Sequence, residues 1–225
     1  MNMDWIWVSD DDAYPNIDAL QIINDNINKK IYEDVVCFSG AVYDKSYDKI
    51  DFWHRRYNLK KIIYVPQLVP EVDYSNDSVC INETSFVGAC FKTDILKKVG
   101  LPNSDLFLYY DDTEYSHRLN EYGRIVLIPR VKILHDTGAY SCTNSNVVST
   151  WREYYLIRNH VYILKKYHWL TYIVYCALKM CKVMVLFASH KNWQTFKMHV
   201  VAITDGMREK IGLHFKYKPG FEIYR

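Results

Sequence analysis

A run of three aspartates follows the first apolar segment of the chain and limits what that segment can become. The apolar segment spans residues 5–8 (WIWV), the acids are Asp10, Asp11 and Asp12, and Pro15 follows within three residues. A short apolar run that ends in carboxylates is typical of a strand in an α/β sheet, and a proline soon after it predicts the start of a helix. Because ligands of such sheets bind outside the carboxyl ends of the strands, the sequence predicts a site at this turn.

Alternate acids in this run have the chemistry of a metal site. Asp10 and Asp12 could share one magnesium or manganese ion, and such an ion would carry the phosphates of a nucleotide. The alternative is a polar turn between a strand and a helix, in which the acids gain a small stabilisation from the helix dipole. Taken alone, the residues of this turn leave both interpretations open.

A second acidic cluster lies at the start of another predicted helix. Asp111 as the N-cap and Glu114 three residues later form a capping-box pattern, which explains these two acids without any ligand. Capping leaves Asp112 unexplained. Farther along, two strand-like segments separated by Pro129 lead to His135. A histidine at the end of a strand is an ordinary surface residue unless it binds a ligand together with acids from another part of the chain. The second cluster therefore favours a site built from carboxylates and an imidazole.

Four motifs occur in a fixed order along the chain. They are residues 5–15 (WIWVSDDDAYP), 86–91 (FVGACF), 110–119 (YDDTEYSHRL) and His135. This order resembles glycosyltransferase family 2, in the branch of galactofuranosyl- and rhamnosyltransferase-like enzymes of bacterial cell-surface polysaccharides. Residues 155–160 (YLIRNH) resemble the Arg-Asn helix that follows the catalytic domain in that branch. The resemblance implies a GT-A-type, Rossmann-like α/β fold.

The resemblance also implies the chemistry of the matching residues. Asp10 and Asp12 would bind the divalent metal, manganese or magnesium, that holds the diphosphate of a nucleotide sugar, and His135 would complete the metal shell. Asp112 would be the general base that deprotonates the acceptor hydroxyl. One base and no enzyme nucleophile imply an inverting transfer to a glycan or lipid-linked acceptor.

Further residues are assigned to donor and acceptor binding. By the same resemblance, Asp11 would lie close to the ribose or the sugar, and Asp111 and Glu114 would position donor or acceptor hydroxyls. Gly88 either lets the backbone approach a sugar closely or relieves crowding within a strand, and we favour the first interpretation.

The sequence departs from the family pattern at its start. Nine residues precede the aspartates, whereas family members carry strands and helices that recognise the nucleotide base before this cluster. We therefore expect an N-terminally truncated, partial GT-A domain over residues 1–148, with a separate chain possible as the source of the base-binding half. Two other functions stay open. One is a catalytically inactive remnant or partner subunit, and the other is a metal-dependent phosphoester hydrolase that uses the same acids.

The C-terminal third of the chain differs from the rest in charge. Residues 1–150 carry 15 Lys and Arg against 22 Asp and Glu, a net charge of −7, whereas residues 151–225 carry 13 against 4, a net charge of +9. The most apolar run, residues 169–188, is about one bilayer span long, but Lys179 and Lys182 lie inside it and make a spanning helix costly.

We therefore expect residues 149–225 to form a helical segment that attaches to the membrane. Basic residues beside aromatic and aliphatic ones suit an anionic surface, so the chain is predicted to be cytoplasmic and peripheral at the inner face of the plasma membrane. The alternative is a core helix packed on the catalytic domain. A nucleic-acid partner is not expected, because the basic residues are scattered through apolar helices without a recognition motif.

Composition limits the remaining classes. The chain of 225 residues is 49% hydrophobic and 24% charged, as in a globular protein. Its six cysteines form no C-x-x-C pair, which predicts buried thiols in a reducing compartment instead of a disulfide frame or a zinc site.

Periodicity and breakers predict the order of the elements. A helix is expected from Pro15, with Leu20, Ile23, Ile27 and Ile31 on one face. The other predicted elements are a strand at 35–42, loop and edge strand at 43–77, a strand at 85–91, a helix at 93–99, a helix at 116–122, strands at 125–128 and 131–134, and helices at 151–167, 169–188 and 193–210.

Overall fold

The computed structural model describes residues 3–44, 49–50, 54–57, 65–136, 147–190 and 192–224. They form a mixed α/β protein, as predicted. The strands are β1 (Trp5–Val8), β2 (Ala13–Pro15), β3 (Val35–Tyr43), β4 (Arg55–Tyr57), β5 (Pro66–Leu68), β6 (Val79–Ile81), β7 (Ala89–Lys92), β8 (Arg124–His135), β9 (Val147–Thr150) and β10 (Glu222–Tyr224). The helices are α1 (Ala19–Ile27), α2 (Thr93–Val99), α3 (Asp111–Asn120), α4 (Trp151–Tyr167), α5 (Trp169–His190) and α6 (Trp193–Met207).

The chain divides into two compact units. The first contains residues 1–59, 65–102 and 112–139, and the second contains residues 60–64, 103–111 and 140–225. Residues 103–111, which lead into the second acidic cluster, thus group with the C-terminal unit. The division into residues 1–148 and 149–225 stays a prediction.

The first unit is built on a mixed sheet with the strand order β1-β7-β3-β8-β2, and β6 pairs with β8 beside this path. β3 and β8 are parallel, while β7 is antiparallel to both β1 and β3. β1, β3 and β8 therefore run in the same direction, and their carboxyl ends meet at one edge of the sheet. The turn that carries Asp10 and Asp12, and His135 at the end of β8, lie at this edge.

The core of the first unit lies on both faces of the central strands. β3 is buried along its whole length except for its last residue, as expected of a strand covered on both faces. Successive side chains point to opposite faces, so Ile125 and Leu127 of β8 belong to one apolar cluster, and Val126 and Ile128 to another.

Two prolines have positions that differ from the prediction. Pro15 does not start a helix: it ends β2, where it pairs with Ile133 at the edge of the sheet, and α1 begins at Ala19. An edge strand tolerates proline because an N–H on its outer side would make no hydrogen bond to another strand. Pro129 does not separate two strands, since β8 continues through it. The register with β3 shifts between Gly40 and Ala41, and the resulting bulge accommodates the proline.

Several other predicted elements are confirmed and some are wrong. β1, β3, α2 and α4 lie where the sequence placed them, and Gly100, with φ of 80°, ends α2 as predicted. Helix α3 starts at Asp111 instead of residue 116, and the strand expected at 85–91 is β7, which begins only at Ala89. On the predicted face of α1, Ile23 is buried and Leu20 is exposed; Ile31 lies beyond the end of α1 and is exposed.

The second unit contains α4, α5 and α6 and a short sheet. Its core includes Tyr154 and Tyr155 of α4 together with Met198 and Ala202 of α6. The sequence predicted only helices beyond residue 150, but β10 pairs with β9 in an antiparallel ribbon. This strand was missed because its three residues carry too little pattern to be recognised without their partner strand.

The cysteines divide between the interior and the surface. Cys37 and Cys90 are buried, as predicted, and burial raises the pKa of Cys90 to about 12. Cys80 and Cys181 are exposed, so the prediction was wrong for them, because each lies on the outward side of its strand or helix. Cys142 lies outside the described residues.

Candidate functional site

The turn between β1 and β2 brings the first acidic cluster to the end of β8. β1 ends at Val8, β2 begins at Ala13, and Ala13 pairs with His135, the last residue of β8. The backbone N–H of Asp136 donates to the carbonyl oxygen of Asp12 at 2.9 Å. This pairing fixes Asp12 beside His135, although the two residues are far apart in sequence.

Three side chains meet at this point. His135 Nε2 lies 3.4 Å from Asp12 Oδ1 and 3.9 Å from Asp10 Oδ2. Among the described residues, Asp10, Asp12 and His135 form the group whose potential metal-ligand atoms all lie within 4.8 Å of one another. The His135 side chain is buried, whereas both carboxylates are about half exposed. The group is therefore open to solvent on the side of the carboxylates. Asp11 is exposed beside them.

The geometry fits a single divalent cation. Magnesium and manganese hold their ligands at about 2.1 Å, so two ligands of one ion lie about 3 to 4 Å apart. The two measured distances from His135 fall in this interval. Two carboxylates and one imidazole are a suitable donor set for manganese, and magnesium prefers the oxygen ligands. The site is at the carboxyl edge of β1 and β8, as expected for ligand binding in an α/β sheet.

The second acidic cluster has a different structural role for each acid. Asp111 is the first residue of α3 instead of the residue before it, and the half-buried Asp112 accepts a hydrogen bond from the N–H of Thr113 at 2.6 Å. Glu114 is buried and forms an ion pair with Arg118 at 2.9 Å. This pair gives Glu114 a structural partner, and the hydroxyl-binding role predicted for it stays a prediction. The role of Asp112 as a base stays a prediction.

Arg118 extends this pair to a neighbouring loop. Its guanidinium also donates to the carbonyl oxygens of Val99 at 2.7 Å and Leu101 at 3.0 Å. The Glu114 carboxylate thus orients an arginine that attaches α3 to the loop after α2. The capping-box interpretation gave Glu114 a contact at the helix start, whereas the contact found is the pair with Arg118 one turn later in α3.

Gly88 is required by packing within the first unit. It lies in the turn before β7 with φ of 68°, a conformation that favours glycine. A Cβ atom at this position would lie 1.6 Å from Cδ1 of Ile133. The structure thus supports the crowding interpretation of Gly88, and close approach to a sugar stays a prediction.

We expect Gly88→Ala to destabilise the protein by about 2 to 4 kcal/mol, because it combines left-handed backbone strain with overpacking. Urea unfolding measures the loss. Gly100→Ala is the control without overpacking, since no atom lies near the added Cβ, and at φ of 80° and ψ of −170° it reports a backbone cost alone. Replacing Ile133 by the shorter valine, in Gly88→Ala/Ile133→Val, should recover part of the loss. A loss for this double variant as large as that of Gly88→Ala alone would contradict the packing explanation.

The second unit contains a buried clamp that the sequence analysis did not assign to any role. Arg158 and Asn159 of α4 are both fully buried. The Asn159 side-chain amide donates to three backbone carbonyl oxygens, those of Leu106, Leu108 and Tyr109, at 2.8, 2.8 and 3.0 Å. One side chain therefore bonds to three residues of the segment just before the second acidic cluster.

Arg158 reinforces this clamp. Its guanidinium donates to the carbonyl oxygens of Leu106, at 3.1 Å, and Gly212, and its Nε donates to Asn159 Oδ1 at 2.8 Å. Burial lowers the pKa of Arg158 from its usual value, but these partners keep it satisfied. The resemblance of residues 155–160 to a family motif was the one sequence signal that pointed to these residues.

The clamped segment has an unusual backbone. Phe107, Tyr109 and Tyr110 have φ values of 64°, 64° and 68°, in the left-handed region that costs non-glycine residues about 1 to 2 kcal/mol each. The Tyr110 ring stacks on His160 with centroids 5.1 Å apart and planes 10° apart. Hydrogen bonds and stacking from three consecutive residues of α4 thus hold a strained loop.

Comparison with known proteins gives one partial match. No family model matches the sequence. The chain is 31% identical over 129 residues to a dTDP-rhamnosyl transferase, RfbF, from Shigella flexneri. The matched region covers 54% of this chain and 44% of that relative, so it accounts for less than half of the relative's length. The match supports a glycosyltransferase relationship.

Proposed function

We propose that this chain carries the metal-binding and catalytic part of an inverting glycosyltransferase of family 2, with a GT-A-type fold. It would transfer a sugar from a nucleotide-diphosphate donor to a glycan or lipid-linked acceptor of a bacterial cell-surface polysaccharide. The observation that carries the proposal is the group of Asp10, Asp12 and His135 at the carboxyl edge of the sheet. The partial similarity to a dTDP-rhamnosyl transferase supports the same reaction class.

Each candidate residue has a chemical role in this proposal. The Asp112 carboxylate takes the proton of the acceptor hydroxyl while the hydroxyl oxygen bonds to the anomeric carbon and the bond from that carbon to the diphosphate breaks. A single displacement of this kind inverts the configuration at the anomeric carbon. Asp10, Asp12 and His135 would hold a divalent cation, which supplies positive charge to the departing diphosphate. Asp11 and Asp111 would orient hydroxyls of the donor or the acceptor.

Asp112→Asn tests the catalytic part of this proposal. Because a positioned base typically contributes a factor of about 10² to 10⁴, we expect at least a hundredfold loss of sugar transfer with little change in donor binding. The measurement is manganese-dependent release of nucleotide diphosphate, with the glycosylated product identified by mass spectrometry and dTDP-rhamnose as the first donor to be tested. Asp94→Asn is the matched control, since Asp94 is exposed in the first turn of α2.

Other outcomes of this assay identify other functions. Unchanged transfer by Asp112→Asn would contradict its assignment as the base. Release of phosphate from phosphoesters without any acceptor would favour a metal-dependent hydrolase. If the folded protein binds neither metal nor nucleotide, an inactive remnant or a partner subunit is favoured.

A further inference from the structure

Helix α5 has one face packed within its own unit and one face in solvent. On the inner face, Tyr172, Tyr175, Cys176 and Met180 pack against the core formed with α4 and α6. The outer face is apolar, and its large side chains are exposed: Leu170, Ile173, Val174, Leu178, Met184 and Val185. An exposed apolar patch that continues along a whole helix is uncommon in a soluble monomer and marks an interaction surface.

The outer face contains no charged residue. At 3.6 residues per turn, the positions on this side are residues 170, 173, 174, 177, 178, 181, 184, 185 and 188, which are all aliphatic residues, methionine or cysteine. Lys182 lies at the border of this face. Lys179 lies on the inner side, where it is half-buried and where burial lowers the pKa of its ammonium group. The two lysines of this run therefore do not prevent its outer face from entering an apolar phase.

The packing of α5 favours an orientation parallel to a membrane surface. Residues Trp169–Ser189 are long and apolar enough to cross a bilayer. However, the inner face of α5 is packed against α4 and α6, which carry charged residues such as Arg152, Asp205 and Lys197. A spanning α5 would either lose this packing or carry those charges into hydrocarbon. An in-plane helix keeps its inner face packed and places only its outer face in lipid.

Charge decides between a lipid surface and a second copy of the chain. Residues 151–225 have a net charge of +9, and Lys166, Lys182 and Lys197 are exposed near α5 in sequence or on the adjacent α6. Two copies meeting through this unit would bring like charges together, whereas an anionic bilayer attracts them. Trp169, the first residue of α5, and Trp193, the first residue of α6, are exposed, and tryptophan is favoured at the membrane–water interface.

We propose that the outer face of α5 is an in-plane membrane anchor that inserts at the boundary between the headgroups and the acyl chains of an anionic bilayer. The occupant is a lipid surface, with Leu170, Ile173, Val174, Leu178, Met184 and Val185 as the inserting side chains. This inference does not rest on the proposed function, because it is tested by binding to vesicles without any enzymatic reaction.

Vesicle co-sedimentation of the whole chain tests the anchor. We expect binding to vesicles of phosphatidylglycerol and phosphatidylcholine and much weaker binding to phosphatidylcholine alone. Leu178→Glu/Val185→Glu should lower the partition coefficient at least tenfold, because both side chains lie on the inserting face and are 66% and 67% exposed. The matched control is Leu20→Glu/Ile31→Glu, whose positions are 65% and 69% exposed in the first unit. This control should bind as the unmodified protein does.

Each other result overturns the proposal. Absence of binding by the unmodified protein, or equal binding by the two double variants, shows that the outer face of α5 does not insert. Equal binding to both kinds of vesicle overturns the assignment of an anionic bilayer as the occupant. Sedimentation velocity without lipid tests a second copy of the chain as the occupant. A dimer of the unmodified protein that is absent in Leu178→Glu/Val185→Glu would identify that copy as the occupant and overturn the proposal. Circular dichroism verifies that each variant is folded. Lys182→Glu/Lys197→Glu, at two exposed positions, tests the contribution of positive charge to binding without altering the apolar face.

Discussion

Asp12→Ala is expected to abolish manganese binding and, with it, the metal-dependent binding of uridine and thymidine diphosphates. The substitution leaves Asp10 and His135, which are too few ligands to hold a hydrated divalent cation firmly. We expect a loss of affinity for manganese of roughly a hundredfold or more, which corresponds to about 2.7 kcal/mol. Paramagnetic resonance of manganese measures the metal alone, and calorimetry with and without metal measures the nucleotide.

The adjacent acid provides the control for this prediction. Asp11→Ala removes the same charge from the same turn, but Asp11 is outside the group of potential ligands. Its effect on manganese affinity should stay within about threefold, because a neighbouring exposed charge acts only through a screened field. Equal losses for Asp11→Ala and Asp12→Ala would show that the turn attracts cations by its overall charge, without a defined site. Manganese binding that survives in both variants would exclude the three-residue site.

The sequence predicted that Asp10, Asp12 and His135 lie together, and their binding of a metal stays a prediction. The two acids alone left a polar turn open as an alternative, and the family resemblance linked His135 to them. The structure brings the three side chains together. What the sequence did not contain was the reason: β2 is a three-residue strand that pairs with the end of β8, and no local pattern predicts so short a partner.

Wrong predictions in the fold share a physical cause. Pro15 and Pro129 are strong local signals against strands, yet both lie in strands, because an edge position and a bulge remove the need for the missing N–H. Likewise Leu20 matched a helical period but is exposed. Such outcomes depend on which strands and helices become neighbours, and this is decided by contacts that a window of residues does not include.

The Arg158–Asn159 clamp is the clearest case of such a contact, and removing it has the other large expected effect. Asn159→Ala should lower the free energy of unfolding by about 3 kcal/mol or more, measured by urea unfolding. It removes three hydrogen bonds, a buried one to the carbonyl oxygen of Leu106 and part-buried ones to those of Leu108 and Tyr109, worth about 0.5 to 1.5 kcal/mol each. It also releases a segment whose left-handed residues favour a different backbone conformation.

The control and the spectroscopic readout make this prediction specific to the clamp. Asn24→Ala makes the same chemical change at an exposed position of α1 and should alter stability by at most about 0.5 kcal/mol. In Asn159→Ala, the amide hydrogen-exchange rate should increase more in residues 103–111 than in α4. The loop loses the hydrogen bonds from Asn159, while the helix keeps its own backbone hydrogen bonds. A stability loss as small as that of Asn24→Ala would mean that Arg158 and the stacking of Tyr110 on His160 hold the segment without the amide. A large loss with unchanged exchange in residues 103–111 would instead place the role of Asn159 in the packing of α4.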